Sequence, residues 1–143
     1  MTTTNRRTFI KQLSAISAGT AIIPGMLSCS PSNKLNIAVI GVGGRGSANW
    51  KPCAGENIVA LCDVDDNLAA EGYEAFPKAA RYKDFRKMFD QMAGEIDAVL
   101  VSTPDHAHFA ATMAAMQLGK HVYVEKPLAH NVWQVKKKKK AAE

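Results

Sequence analysis

Cysteine is scarce in this 143-residue sequence, and its few copies lack the spacing of a metal site. There are three cysteines, no CxxC pair and no cysteine–histidine cluster with metal-ligand spacing. This excludes a zinc-stabilised module and a disulfide-rich scaffold, since both need closely spaced pairs. Cys53 and Cys62 fall in a predicted helix and a predicted strand, which favours small buried thiols over a disulfide.

No aspartate or glutamate occurs in the first 29 residues, where Arg6 and Arg7 precede a mildly apolar stretch. This composition is typical of an export signal. The segment NRRTFIK, residues 5–11, resembles the twin-arginine signal that bacteria use for proteins exported in the folded state. A transmembrane helix is disfavoured because a lysine, a proline and scattered hydroxyl residues leave too short an apolar run.

The chain is therefore predicted to divide into a twin-arginine signal over residues 1–29, a linker over 30–33 and a folded domain over 34–143. Cys29 ends a segment that resembles a bacterial lipoprotein box, although Met26 departs from the usual pattern. The alternatives are a periplasmic protein anchored by a lipid at Cys29 and a soluble periplasmic or secreted product. Contact with a membrane is expected only through the signal or that anchor.

A basic surface that could follow nucleic acid is also missing. The net charge is +5, but removing the signal leaves 15 basic and 13 acidic residues, a net charge of +2. Without the run Lys136–Lys140, which we interpret as the solvated end of a helix, the net charge is −3. We expect no nucleic-acid partner.

The clearest functional signal is a glycine-rich turn. Residues 35–46, LNIAVIGVGGRG, show an apolar strand that ends in GxGxxG. In a dinucleotide-binding turn the first glycine permits a tight turn, the second lets the backbone approach a pyrophosphate and the third allows close helix packing. The N-terminus of the following helix then attracts the phosphates. The candidate cofactor contacts here are Gly41, Gly43, Gly44, Arg45 and Gly46.

A carboxylate follows the second predicted strand at the spacing of a ribose ligand. Asp63 lies 22 residues after Gly41, where an acidic residue of a dinucleotide-binding fold accepts the ribose hydroxyls. Capping of the next helix is the alternative role for Asp63. Asp65 and Asp66 add negative charge, which disfavours the 2′-phosphate of NADP. We therefore expect NAD, with NADP the less favoured cofactor.

Strands and helices alternate through the rest of the chain. The predicted strands are the run from residue 35 and residues 58–62, 80–82, 98–101 and 121–124; the predicted helices are 47–54, 67–75, 84–92, 109–118 and one from about 131. This order predicts a Rossmann-like α/β fold with a doubly wound parallel sheet. Ligands of such sheets bind beyond the carboxyl ends of the strands. STPDHAH at 102–108 and EKP at 125–127 follow the fourth and fifth strands.

Together, these motifs resemble the Gfo/Idh/MocA family, named for glucose-fructose oxidoreductase and inositol dehydrogenase. The shared pattern is the glycine turn, the aspartate after the second strand, TPxxxH at 103–108, GKHV at 119–122 and EKP at 125–127. The resemblance covers residues 34–143 and only the first lobe of the family. It implies that the second α+β lobe, which supplies the substrate pocket and the acid/base residue, is absent from this sequence.

The resemblance also implies roles for residues near the nicotinamide. Thr103, Pro104 and His108 match residues along the nicotinamide half of the cofactor, and Glu125 belongs to the same group of contacts. Lys126 matches a lysine that reaches the nicotinamide ribose and the substrate, and it is the candidate catalytic residue. An ammonium there would polarise a substrate hydroxyl or stabilise the alkoxide formed as hydride leaves.

The sequence also predicts how Lys126 and two nearby histidines are placed. Pro127 is expected to form a rigid turn, in cis or trans geometry, that aims Lys126 inward. His106 and His108 point to different sides of a helix start, which argues against a shared metal. We expect no metal, and we expect His106 to be a surface residue.

The implied function is the NAD-binding part of an exported oxidoreductase that transfers hydride between a sugar or polyol and NAD. One alternative is a glycosidase that uses NAD to oxidise its sugar transiently. A second is a nucleotide-binding fragment with no activity of its own. The parent protein is expected to be a homo-oligomer that uses the twin-arginine export machinery.

Overall fold

The computed structural model describes residues 34–143, which form a five-stranded parallel sheet with helices on both faces. The strands are β1 Asn36–Ile40, β2 Asn57–Cys62, β3 Ala80–Tyr82, β4 Ala98–Val101 and β5 His121–Val124. The helices are α1 Arg45–Trp50, α2 Asp66–Ala75, α3 Phe85–Met92, α4 Asp105–Gln117 and α5 Val132–Ala142, and single 3₁₀ turns follow α1 and α3. The strand order is β3-β2-β1-β4-β5, and the predicted fold class is confirmed.

The predicted signal over residues 1–29, the linker over 30–33 and the candidate lipidation site Cys29 lie outside the described residues. Among the helices of residues 34–143, none is long and apolar enough to cross a bilayer.

Alternate residues of β1 supply the two hydrophobic cores. Ala38 and Ile40 face a core that includes Met88 and Phe89 of α3 and two alanines of α4. Ile37 and Val39 face the other core, which includes Trp50 of α1 and Tyr73 of α2. Both faces of the central strand are therefore buried, which explains why its sequence is an unbroken apolar run.

The parallel register brings the ends of the central strands level. Ile40 pairs with Cys62 on one side and with Val101 on the other. One residue further on, the Gly41 amide donates to the Cys62 carbonyl (2.8 Å) and the Ser102 amide donates to the Ile40 carbonyl (2.8 Å). The loops after these strands thus start side by side at one edge of the sheet. The direction of winding reverses between the adjacent strands β1 and β4, which is where open α/β sheets bind ligands.

Two helices begin two or more residues earlier than the sequence predicts. α4 starts at Asp105 rather than 109, because Pro104 leads into the helix with an extended backbone and an acidic residue occupies the first turn. α1 starts at Arg45 rather than 47, so Gly46 is helical. Both differences move residues of the predicted site from loops onto helix starts.

The two cysteines of the described region are unpaired. Cys62 is buried in β2, as predicted, and burial raises the pKa of its thiol to about 12. Cys53 is only partly buried.

Lys138 departs from the expected solvated lysine run. Its side chain is buried, whereas the other four lysines of the run are exposed. The Lys138 ammonium donates to Thr112 Oγ1 (3.1 Å) and to the Leu128 carbonyl. Burial lowers its pKa from 10.5 to about 8. The expectation was wrong at this position because Lys138 is the member of the run that faces α4.

The lowered pKa of Lys138 predicts a pH-dependent contribution to stability. Between pH 8 and pH 10.5 the unfolded chain binds the proton that the folded chain has lost, so the free energy of unfolding rises with pH. We expect this rise to be about 1 to 2 kcal/mol, smaller than the full shift because water partly screens the ammonium.

The measurement is urea unfolding at about pH 7 and about pH 10 for the wild type and for Lys138→Met. Relative to the variant, the wild type gains stability at the higher pH. Lys136→Met, which removes an exposed lysine of the same helix, keeps the wild-type dependence. If the free energy of unfolding changed equally with pH for the wild type and Lys138→Met, the pH dependence could not be assigned to Lys138.

Candidate nucleotide-binding site

A cleft of about 720 Å³ opens beyond the carboxyl ends of β1, β2 and β4. Its walls include the glycine turn, Asp63 and the loop from Ser102 to Pro104. A smaller cavity of about 390 Å³ adjoins it and is lined by Thr103, Glu125 and Lys126 together with Arg45, Ser102, Asp105 and His108. Arg45, Ser102 and Thr103 line both spaces, so the predicted site residues meet along one continuous edge.

The glycine turn is folded against neighbouring backbone. Gly41 has a φ of +83°, and a Cβ there would lie 2.7 Å from the Ser102 carbonyl carbon. A Cβ on Gly46 would lie 1.9 Å from the Gly41 carbonyl oxygen, so α1 packs directly on the turn. A Cβ on Gly43 would lie 2.5 Å from the Leu68 carbonyl oxygen of α2. Each GxGxxG position is thus closed to side chains by the protein itself.

Asp63 binds the glycine turn. Its Oδ2 accepts hydrogen bonds from the amides of Val42 (2.8 Å) and Gly43 (3.0 Å), and its Oδ1 accepts from the Asp65 amide (3.0 Å). A carboxylate has about four acceptor positions, so one remains for a ligand hydroxyl. The alternative role of helix cap is wrong, since Asp65 accepts the hydrogen bonds from the first amides of α2.

The amides that follow in the turn remain available to a ligand. Within residues 34–143, the N–H groups of Gly44 and Arg45 have no hydrogen-bond acceptor. Gly44 has a φ of +54°, and a Cβ there would meet no atom within 4 Å. Two free donors beside open space suit the oxygens of a diphosphate.

An ion pair joins the glycine turn to the EKP motif. The Arg45 Nε donates to Glu125 Oε1 at 2.9 Å, and Glu125 is buried. The hydrogen bond from Arg45 lowers the pKa of Glu125, with further contributions from the Asn49 amide and the Lys126 N–H. The Asn49 amide also donates to Ser102 Oγ at 2.7 Å. Sequence reasoning missed this pairing, since 80 residues separate Arg45 from Glu125.

The TPxxxH and EKP motifs form the wall of the smaller cavity. Lys126 is exposed, and its ammonium has no hydrogen-bond or ion-pair partner among residues 34–143. The Lys126–Pro127 peptide bond is cis, one of the two geometries considered. Thr103 Oγ1 is buried without a hydrogen-bond partner, and no other buried side-chain nitrogen or oxygen of the described region shares this condition. A buried hydroxyl of this kind suits a polar ligand group.

The two histidines of this region lie in different surroundings. His106 is exposed on α4, as predicted, and lines the larger cleft. His108 is 1% exposed, and its ring nitrogens lie 2.6 Å from the Thr103 carbonyl oxygen and 2.7 Å from the Pro127 carbonyl oxygen. The protein backbone therefore occupies both polar atoms of His108.

The ribose side of the cleft holds cations that sequence reasoning missed. Lys83 and Arg86, from the segment after β3, line the cleft together with Asp63. The Lys83 ammonium lies 2.5 Å from Asp66 Oδ1, and Arg86 pairs with Asp84 at 3.4 Å. Strand order could have located these cations. Because β3 lies next to β2, the segment after β3 starts beside Asp63, which follows β2. Lys83 and Arg86 each have a carboxylate partner, so neither pairs with Asp63. The free acceptor position of Asp63 therefore stays suited to a ribose hydroxyl.

Known proteins are similar to this chain in sequence and in fold. Residues 35–143 match the oxidoreductase family described as GFO_IDH_MocA, with an NAD-binding Rossmann fold. A glycosyl hydrolase family 109 protein of Solibacter usitatus is 35% identical over 153 aligned residues, which cover 92% of this chain and 35% of that protein.

Solved structures of dehydrogenases are also similar to this chain. The crystal structure of myo-inositol 2-dehydrogenase from Lactobacillus plantarum has a TM-score of 0.69 and 27% identity, covering 76% of this chain and 33% of that one. The WlbA dehydrogenase from Bordetella pertussis, solved with NADH and UDP-GlcNAcA, has a TM-score of 0.66 and 26% identity, covering 76% of this chain and 33% of that one. The chain spans about a third of the length of these relatives. With its fold, its motifs and its match over residues 35–143, the chain belongs to the Gfo/Idh/MocA oxidoreductase family as an NAD-binding Rossmann domain.

Proposed function

We propose that this domain binds NAD with its adenosine ribose at Asp63, its diphosphate over Gly44 and Arg45 and its nicotinamide ribose at Lys126. The whole protein transfers hydride between a sugar or polyol and NAD. The observation that carries this proposal is the order of groups along one sheet edge. A carboxylate, two free amides and an ammonium without a partner in the described region follow one another from β2 across β1 to β5.

The adenosine end is supported by the charge and geometry of Asp63. Its carboxylate is held by three amides and retains one acceptor position. A 2′-phosphate there would meet Asp63 and Asp65, both of which line the cleft. This arrangement favours NAD over NADP because like charges at such distances repel.

The nicotinamide end is supported by Lys126. Bound NAD supplies the hydride acceptor, and the protein must stabilise the substrate oxygen while its carbon is oxidised. A lysine ammonium that lines a small cavity can donate a hydrogen bond to that oxygen and stabilise its negative charge. Glu125, paired with Arg45, holds the neighbouring backbone because its Oε2 accepts from the Lys126 amide at 3.1 Å.

A glycosidase is the second candidate function. It is favoured by the 35% identity to a glycosyl hydrolase family 109 protein. In this alternative NAD oxidises the sugar only transiently, so the nucleotide sites described above serve equally well. The two reactions differ in whether NADH accumulates.

We also propose export by the twin-arginine route to the periplasm, with either a lipid at Cys29 or a soluble product. The support is the sequence NRRTFIK at residues 5–11 and the lack of acidic residues before residue 30. Export in the folded state would allow NAD to cross the membrane already bound.

The proposed orientation of NAD predicts opposite patterns for two variants of this chain. Asp63→Ala weakens binding of NAD and of ADP alike, each by about 10- to 100-fold, because both ligands carry the adenosine ribose. Lys126→Met weakens NAD several-fold and leaves ADP unchanged, because ADP lacks the second ribose.

Isothermal titration of the wild type and both variants with NAD, NADP and ADP measures these effects. Glu74→Ala, which removes an exposed carboxylate of α2 that does not line the cleft, is the matched control and retains wild-type affinity. Tighter binding of NADP than of NAD, or loss of ADP binding in Lys126→Met, would overturn the orientation.

The proposed reaction predicts accumulation of NADH. On the whole protein that carries this domain, a panel of sugars and polyols with NAD should give steady NADH absorbance, and Lys126→Met should lower kcat by about 100-fold or more. Release of sugar from a chromogenic glycoside without net NADH would instead establish the glycosidase.

The proposed export predicts dependence on the arginine pair. Replacing Arg6 and Arg7 together by lysine should remove the protein from the periplasmic fraction of a bacterial host, while Lys11→Arg should leave export intact. Unchanged export of the double variant would contradict the twin-arginine assignment. Cys29→Ala separates the two forms, since only a lipid-anchored protein would move from the membrane fraction to the soluble fraction.

A further inference from the structure

Lys83 places a cation beside the proposed ribose site. Its side chain lines the larger cleft together with Asp63. The Asp63 amide donates to the Tyr82 carbonyl at 3.0 Å, and the Lys83 ammonium donates to the Val64 carbonyl at 3.2 Å. These two contacts hold the start of the segment after β3 against the segment after β2. The ammonium therefore lies close to the strand end that carries Asp63.

A cation at this position would attract the group that distinguishes NADP from NAD. The 2′-phosphate of NADP carries about two negative charges at neutral pH, and a basic side chain accommodates it in dinucleotide-binding folds. NAD has a hydroxyl there, which a carboxylate such as Asp63 binds. The charge of Lys83 thus opposes the preference for NAD that Asp63 and Asp65 create, unless another group engages it.

Asp66 engages the charge of Lys83. Its Oδ1 lies 2.5 Å from the Lys83 ammonium. This hydrogen bond lowers the pKa of Asp66 and raises the pKa of Lys83, so both groups are charged at neutral pH. Asp66 opens α2 and is not part of the cleft wall. The ammonium is therefore held by one backbone carbonyl and by one carboxylate that lies outside the wall.

We propose that Asp66 is a specificity-determining residue, which withholds the Lys83 ammonium from the 2′-phosphate of NADP. This inference rests on the proposed function, in which the adenosine ribose meets Asp63. Asp66 acts through Lys83 and touches neither the ribose nor the phosphate. Its effect is several-fold, because the side chains of Lys83 and Asp66 are 53% and 68% exposed and exposed ion pairs are weak.

The other cation of this region is joined to its carboxylate partner in a different way. The Arg86 guanidinium lies 3.4 Å from both carboxylate oxygens of Asp84, which also accepts a hydrogen bond from the Arg86 amide at 2.9 Å. Asp84 caps α3 and lines the cleft. Replacing Asp84 would therefore disturb a helix start and the cleft wall together. The Asp66–Lys83 pair can be separated without either effect.

Titration with NADP and NAD tests the role of Asp66. Asp66→Ala should raise the affinity for NADP by about three- to tenfold, because Lys83 is released toward the cleft. It should not raise the affinity for NAD, which has no 2′-phosphate. The gain for NADP should shrink at high salt, since the released ammonium acts through its charge.

A double-mutant cycle separates release of Lys83 from the simple loss of one negative charge. In the Lys83→Met background, Asp66→Ala should leave NADP affinity unchanged, because no ammonium remains to be released. Loss of a negative charge alone would favour NADP in both backgrounds. The same gain with and without Lys83 would therefore overturn the proposal.

Glu71→Ala is the matched control. Glu71 also lies on α2 and pairs with a lysine, Lys51, at 2.6 Å, but neither residue lines the cleft. This variant removes the same charge from the same helix and releases a lysine elsewhere, so it should bind both nucleotides as the wild type does. An equal gain for NADP in Glu71→Ala would overturn the role of Asp66.

The wild-type titration distinguishes failure of this inference from failure of the proposed function. A wild type that binds no NAD would overturn both. Wild-type binding of NAD, together with an NADP affinity that Asp66→Ala does not raise, would overturn the inference alone.

Discussion

The alignment of the strand ends is the constraint on which the rest of this structure depends. Backbone hydrogen bonds extend the parallel ladder one residue beyond β1 and β4, from Gly41 to Cys62 and from Ser102 to Ile40. Because these bonds fix the starts of neighbouring loops, groups distant in sequence meet at one edge. Loop residues held in this way need little further ordering when a ligand arrives, which lowers the cost of binding.

Three side chains then join the loops to one another. Asp63 ties the end of β2 to the glycine turn, Arg45 ties that turn to Glu125, and His108 ties the loop after β4 to the loop after β5. Asp63 and Arg45 act through charged groups, and the ring nitrogens of His108 contact two backbone carbonyl oxygens. The site is thus held by an ion pair and hydrogen bonds among loops, while the apolar cores lie beneath it and position the strands.

The sequence predicted the fold well because its strands are short, apolar and separated by helical patterns. β3, β4 and β5 lie within the predicted bounds, and Asp63 stands at the end of β2 as expected. Helix starts were harder to locate, since Pro104 is compatible both with a loop and with the residue before a helix. The lysine run shows a similar difficulty: five identical residues carry no pattern, and only the packing of α5 selects Lys138 for burial. The Arg45–Glu125 pair forms because the strand order brings the two loops together. No local sequence pattern indicates it.

The buried thiol of Cys62 has a chemical consequence for a domain proposed to work outside the cytoplasm. A thiol must lose its proton before it attacks an electrophile or exchanges with a disulfide. With a pKa of about 12, the thiol at the end of β2 stays protonated under physiological conditions. This side chain borders the cleft, yet it holds little of the thiolate that reacts with oxidants and alkylating compounds. A low thiolate population slows sulfenylation and mixed-disulfide formation beside the ligand, which would protect Cys62 in the periplasmic location that we propose.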